Sequence, residues 1–196
     1  QREHWQHERR KEPGCGRRKR LRDHSWQYGH RGQSDLGRWC ERSRDVTGVE
    51  MAGAAKNAAA LAAAAAEPQG LNAAGIAVAA IWRECIDHAV ARGAELETFA
   101  GLAGVGDLTA TMMAPAGRNR RAGELLGTGT PADEIPAKIG QASEGLDTVP
   151  LLAETVVASG AEAAALSGLA ALIRGEFDAE EWIASLRAVE RGRRAA

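Results

Sequence analysis

The chain has 196 residues and a formal net charge of −1, so one domain with an appendage is the expectation. Its three cysteines, Cys15, Cys40 and Cys85, form no disulfide framework, which fits a reducing cytoplasmic setting. No apolar h-region follows the basic start, so no signal peptide is expected. The longest apolar run is mostly alanine and adjoins Lys56 and Asn57, too weakly hydrophobic for a membrane span.

The near-neutral total hides a split. Residues 1–45 carry 13 Lys/Arg against 7 Asp/Glu, whereas 46–196 carry 12 against 19. The front has no Ala, Val, Ile, Met or Phe, and Leu21 and Leu36 are its only aliphatics. It cannot bury enough apolar surface to offset chain entropy, so disorder is expected for 1–45. The composition shift at Val46 marks a boundary, with a helical domain over 46–196, and the front reads as foreign or out-of-frame sequence joined to it. Trp5, Trp26, Tyr28 and Trp39 among arginines could stack on nucleic acid, but no nucleic-acid-binding pattern accompanies them. His4, His7, Cys15, His24, His30 and Cys40 lack the paired spacing of a zinc site, so no metal is expected. Gly14-Cys15-Gly16 follows no apolar strand and lacks a third glycine, so it is not a nucleotide loop.

A helix is predicted over 47–67, with Thr47 and Glu50 spaced as a capping box and Pro68-Gln69-Gly70 as its stop. It carries one cation, Lys56, on a surface of methyl groups. If that face packs against neighbours, a partly desolvated amine results, suited to trading protons. The alternative is a lysine that snorkels to water. Asn72 would cap a second helix reaching Arg92, with Gly93 at its C-terminal side and Ile76, Ala79, Ala80, Ile86 and Val90 as the buried stripe. Trp82, Arg83, Glu84 and Asp87 lie partly off that stripe, and His88 reads as a partner or surface residue.

Gly101, Gly104 and Gly106 predict a tight bend with positive φ that presents Asp107. After the stop at Pro115-Ala116-Gly117, a short helix from Arg118 to Leu126 ends at Gly127. It has Arg118, Arg120 and Arg121 in its first turn, where the dipole disfavours cations. Converging guanidinium groups there predict an anion site, the alternative being a basic surface patch. Thr130 and Pro131 would start another helix, a loop over 140–145 would lead to one at 150–159 closed by Gly160, and another would run from 161 to 174 before Gly175. Asp178 and Glu181 are placed to cap the last helix, with Trp182, Ile183 and Leu186 on one face. No convincing strand period follows residue 46, so the fold class is all-α, a globular bundle of about seven helices.

Four motifs occur in order: G-V-E-M-A-G-A-A-K-N, T-F-A-G-L-A-G-V-G-D-L, R-N-R-R-A-G-E-L-L-G-T-G and K-I-G-Q-A-S-E-G. Together they resemble the C-terminal helical domain of NAD(P)-dependent glycerol-3-phosphate dehydrogenase of the soluble bacterial type, a fold like the C-terminal domains of 6-phosphogluconate dehydrogenase-like enzymes. The resemblance implies NADH- or NADPH-dependent reduction of dihydroxyacetone phosphate to sn-glycerol 3-phosphate. It implies Lys56 as the catalytic proton donor and acceptor. Asn57, Asp107, Thr111, Gly117, Arg118 and Asn119 would be at the substrate, Arg118 and Asn119 holding its phosphate, and Arg118, Ala142 and Glu144 at the cofactor. A homodimer is compatible with it. The sequence departs from the family at Gly117, where serine is usual, and at Gly160-Ala161-Glu162-Ala163-Ala164, which lacks the usual proline. The family's dinucleotide-binding half is also missing from residues 1–45. The alternative reading is a non-catalytic helical remnant that serves as a packing or dimerisation module.

Overall fold

The structure is a computed structural model and describes residues 26–28 and 41–195. The histidine and cysteine set proposed and rejected as a zinc site, the Gly14-Cys15-Gly16 motif and the expectation of disorder for most of 1–45 lie outside the described residues. Within that stretch, β1 (Trp26–Tyr28) and β2 (Glu41–Ser43) pair antiparallel, Trp26 opposite Ser43. From residue 46 onward the described chain is helical, and none of its helices is long and apolar enough to cross a membrane.

Helix α1 (Val46–Ala66) lies at the centre of the bundle, and its alanines from Ala58 to Ala66 are all buried. Alanine favours the helix and its small side chain lets other helices approach closely. The cap differs from the predicted Thr47/Glu50 box. Asp45 caps α1, its Oδ1 accepting from Gly48 N at 2.7 Å. Its Oδ2 accepts from Glu95 N at 2.8 Å and from Thr98 Oγ1 at 2.7 Å. Asp45 wins because one carboxylate here both caps α1 and ties it to the segment entering α3 (Leu96–Ala100). A short 3₁₀ turn over Glu67–Gln69 and Gly70, at φ 104°, then reverse the chain as expected.

Helix α2 (Leu71–Val90) has Gly70 rather than Asn72 at its N-cap. Its buried face comprises Ala73, Ala77, Ala80, Ile81, Glu84, Cys85 and His88, while Ile76 and Ile86 are half-buried and Ala79 and Val90 exposed. The buried face runs mainly through alanines, with Ile81 its one branched aliphatic residue, so weighting Ile and Val placed the stripe off the true face. His88 is 1% exposed rather than superficial. Its Nδ1 accepts from Arg92 Nη1 at 3.1 Å and lies 3.0 Å from Ser159 Oγ. Burial first, then the Arg92 charge, hold its pKa below the usual histidine value.

Cys85 is fully buried, and desolvation, followed by the neighbouring Glu84 carboxylate, pushes its thiol up to about 12. The thiolate fraction near neutral pH is therefore negligible. Iodoacetamide followed by peptide mapping is expected to leave the Cys85 peptide unmodified in the native chain and to alkylate it in urea. Rapid native labelling of that peptide would contradict the buried placement.

A five-residue π-helical turn, Leu102–Gly106, follows α3, marked by the bond from Gly106 N to Gly101 O at 3.1 Å. It leads into α4 (Asp107–Met113). The predicted positive φ is absent at these three glycines. Close approach is what requires Gly104: a Cβ there would stand 2.0 Å from the Phe99 carbonyl oxygen.

Helix α5 (Arg118–Gly127) matches expectation, whereas α6 (Ile135–Ile139) starts after a turn and is not capped by Thr130. Helix α7 (Glu144–Ala158) starts six residues before the predicted helix and contains Pro150. Proline there removes one ladder donor, yet its φ suits a helix, and burial of Leu146, Val149, Leu152 and Val156 holds the turn. Helix α8 (Ala164–Ile173) precedes Gly175, and α9 (Ala179–Ala195) starts with the predicted reciprocal cap. Glu181 N donates to Asp178 Oδ1 at 2.8 Å and Asp178 N to Glu181 Oε2 at 3.0 Å. Trp182, Ile183 and Leu186 are buried as predicted.

Candidate functional site

Lys56 stands on α1 with Ala52, Gly53, Ala59 and Ala60 one turn above and below it, all buried. Its ammonium pairs with the Asp107 carboxylate, the two side chains being 20% and 6% exposed. The π-helical turn delivers Asp107 as the first residue of α4, so a local widening of the helix sets this ion pair. A close carboxylate favours the charged ammonium, whereas burial disfavours it. The lysine is thus held in place rather than snorkelling freely. Asn57, the next residue on α1, is half-buried.

Thr111 follows Asp107 by one turn on the same side of α4 and is half-buried. A Cβ placed on Gly117 would stand 3.6 Å from the Thr111 carbonyl oxygen, so the start of α5 lies beside the end of α4. Gly117 takes the N-cap position with φ −62° and ψ 130°, backbone that serine adopts as readily.

The three first-turn arginines do not converge on one anion. Arg118 Nη2 donates to Glu144 Oε1 at 3.2 Å. Arg120 reaches Glu67 at 2.9 Å and Glu124 at 2.9 Å. Arg121 Nη1 donates to the Ile139 carbonyl at 3.3 Å. Successive helix positions are about 100° apart, so the three long side chains fan out, two to carboxylates and one to a backbone carbonyl. Only Arg118 stays largely open, its side chain 46% exposed and that of Glu144 61%. An exposed pair of this kind contributes about 0–1 kcal/mol and yields readily to a competing anion.

Asn119, beside Arg118, is 9% exposed. Its Oδ1 accepts from Ser143 Oγ at 2.8 Å and from Gly145 N at 2.9 Å. The start of α7 is thereby tied to the start of α5, with Glu144 between the two anchored residues. Ala142, one residue further back, is exposed and borders a cavity of about 270 Å³ with Asp133, Pro136, Ser143 and Leu146. A groove of about 820 Å³ between the end of α5 and the α8–α9 junction includes none of the predicted site residues.

The structure therefore links two groups of predicted residues: Lys56, Asp107 and Thr111 along α1 and α4, and Arg118, Asn119 and Glu144 where α5 meets α7. Gly117 joins them. Sequence reasoning missed Ser143. A serine just before Glu144-Gly145 is itself an N-cap signal, but the prediction of a loop there concealed it.

The chain matches the family described as NAD-dependent glycerol-3-phosphate dehydrogenase C-terminus over residues 45–184. It is 43% identical over 120 residues to glycerol-3-phosphate dehydrogenase [NAD(P)+] of Thermobifida fusca, covering 60% of this chain and 36% of that protein. The same enzyme of Cupriavidus necator is 36% identical over 146 residues, 74% of this chain and 43% of that one. Among solved structures, the crystal structure of glycerol-3-phosphate dehydrogenase from Coxiella burnetii superimposes with a TM-score of 0.64 at 29% identity, covering 74% of this chain and 45% of that one. The chain thus spans less than half the length of these relatives.

Proposed function

The chain belongs to the family of NAD-dependent glycerol-3-phosphate dehydrogenase C-terminal domains, and from that membership we propose that it is the substrate-side half of an enzyme that reduces dihydroxyacetone phosphate to sn-glycerol 3-phosphate with NADH or NADPH. The observation that carries this reading is the Lys56–Asp107 pair set in a floor of small buried side chains, with Arg118 and Asn119 at the neighbouring helix start. Among the described residues there is no parallel sheet to seat a dinucleotide. The open Glu144 carboxylate, able to accept from a ribose hydroxyl, and Arg118, able to meet a phosphate, fit one edge of such a cofactor. When bound, the nicotinamide supplies the hydride.

The chain's own residues do the rest. Arg118 leaves its exposed partner Glu144 for the phosphate dianion, whose oxygens match a planar guanidinium. Asn57 and Thr111 offer hydrogen bonds to the triose. Lys56 Nζ donates a proton to the carbonyl oxygen as negative charge develops there, and takes it back in the reverse direction. Asp107 holds the ammonium in position through both.

Isothermal titration of the full chain with sn-glycerol 3-phosphate tests the reading. Arg118→Ala is expected to weaken binding about tenfold or more, because a charge-assisted contact to the phosphate is lost. Equal affinities would remove Arg118 from the site. Absence of binding in the wild type, together with self-association in sedimentation, would favour a helical packing module instead.

A further inference from the structure

We infer that Ser143 is a positioning residue: with the Gly145 amide it fixes the side-chain amide of Asn119 so that its NH₂ group serves as a donor to the substrate phosphate. The inference rests on the reading of Asn119 as a phosphate contact, and extends it to a residue that touches neither substrate nor cofactor.

The argument starts from what each group can do. A backbone N–H only donates, so Gly145 N, 2.9 Å away, requires the oxygen of the Asn119 amide to face it. The Ser143 hydroxyl, at 2.8 Å, adds a second donor to the same oxygen. Flipping the amide would set an NH₂ against an N–H donor with both partners buried, which is strongly unfavourable. The amide therefore has one orientation, and its two N–H donors turn to the opposite side. Among the described residues the amide nitrogen has no partner, although the Oδ1 side is fully engaged.

Ser143 gives up its ordinary task to do this. It occupies the N-cap position of α7, where a serine oxygen usually accepts from the helix's own first-turn amides, yet it makes no such bond. Its hydroxyl is 2% exposed with the residue and is directed at Asn119 instead. The same two bonds flank Glu144, whose carboxylate pairs with Arg118. One amide oxygen thus fixes both the donor face of Asn119 and the segment that carries Glu144.

The test uses the full chain and two readouts. In a ¹⁵N-edited spectrum the Asn119 side-chain pair is assigned by its loss in Asn119→Asp. Ser143→Ala is expected to shift and broaden that pair, and Ser143→Thr, which keeps the hydroxyl and has the adjoining cavity of about 270 Å³ for its methyl, to restore it. Titration with sn-glycerol 3-phosphate is expected to give about fivefold weaker binding for Ser143→Ala and wild-type binding for Ser143→Thr. An Asn119 pair unmoved by Ser143→Ala overturns the inference whether or not ligand binds. So does a lowered melting temperature with unchanged affinity, since that is the signature of a purely structural cap. If the amide pair responds but the wild type binds no glycerol 3-phosphate, the positioning by Ser143 stands and the phosphate-site reading falls.

Discussion

Glu84→Ala is expected to destabilise the chain by about 3 kcal/mol, a fall in melting temperature on the order of 6–12 °C for a domain of this size. Glu84 lies on α2 but serves α8. Its Oε1 accepts from Ala165 N at 2.7 Å and its Oε2 from Leu166 N at 2.9 Å, with the residue 2% exposed. Those amides belong to the first turn of α8, whose own N-cap residue, Ala163, has no side chain able to accept. The carboxylate thus caps a helix from another element and meets the positive end of its dipole. Alanine would leave two buried donors without acceptors, each costing about 1–3 kcal/mol. Glu84→Gln keeps one acceptor oxygen but sets its NH₂ against the other buried N–H, so it is expected to lose about as much as the alanine variant. A urea midpoint for Glu84→Ala equal to that of the wild type, at unchanged slope, would mean that the cap contributes nothing.

Gly123→Ala is expected to destabilise by about 2–3 kcal/mol, although helix propensity alone favours alanine by about 1 kcal/mol. The sign of the change decides between the two effects. A Cβ at Gly123 would stand 2.3 Å from the Leu61 carbonyl oxygen and 2.8 Å from Ala64 Cβ, so α1 and α5 would have to move apart. The obstructing atoms are backbone and a methyl with no freedom to rotate away, which makes relaxation expensive. Gly127 repeats the arrangement one turn on, its Cβ position 2.5 Å from the Ala65 carbonyl oxygen. Gly75 in α2 is the control, with no atom within 4 Å of its Cβ position. Gly75→Ala is expected to stabilise by about 0.5–1 kcal/mol in the same denaturation experiment. If both variants gained stability, the close approach of α1 to α5 would be wrong.

The buried stripe of α2 was misread from its larger side chains. Sequence periodicity weights Ile and Val, yet the buried face of α2 is mostly alanine, with Ile81 its one branched aliphatic residue. The buried Glu84 and His88 were placed off the core for a related reason: their partners, the α8 amides and Ser159, lie some seventy to eighty residues away. The glycines before Asp107 were expected to take positive φ, which none of them does; Gly104 is required instead by its close approach to Phe99.

What the sequence determined by itself was local or written in ordered motifs. The alanine run and the Pro-Gln-Gly stop define α1, the Asp178–Glu181 pair caps α9 within four residues, and the four motifs identify the family. Each of these depends on residues close in the chain, whose spacing fixes their interaction. Only the tertiary structure decided that Lys56 meets Asp107, that Arg118, Arg120 and Arg121 diverge, and that Asn119 is fastened by Ser143 and Gly145. Those outcomes depend on how closely helices pack and on which distant donor reaches a buried acceptor first, and neither quantity is carried by any single stretch of the chain.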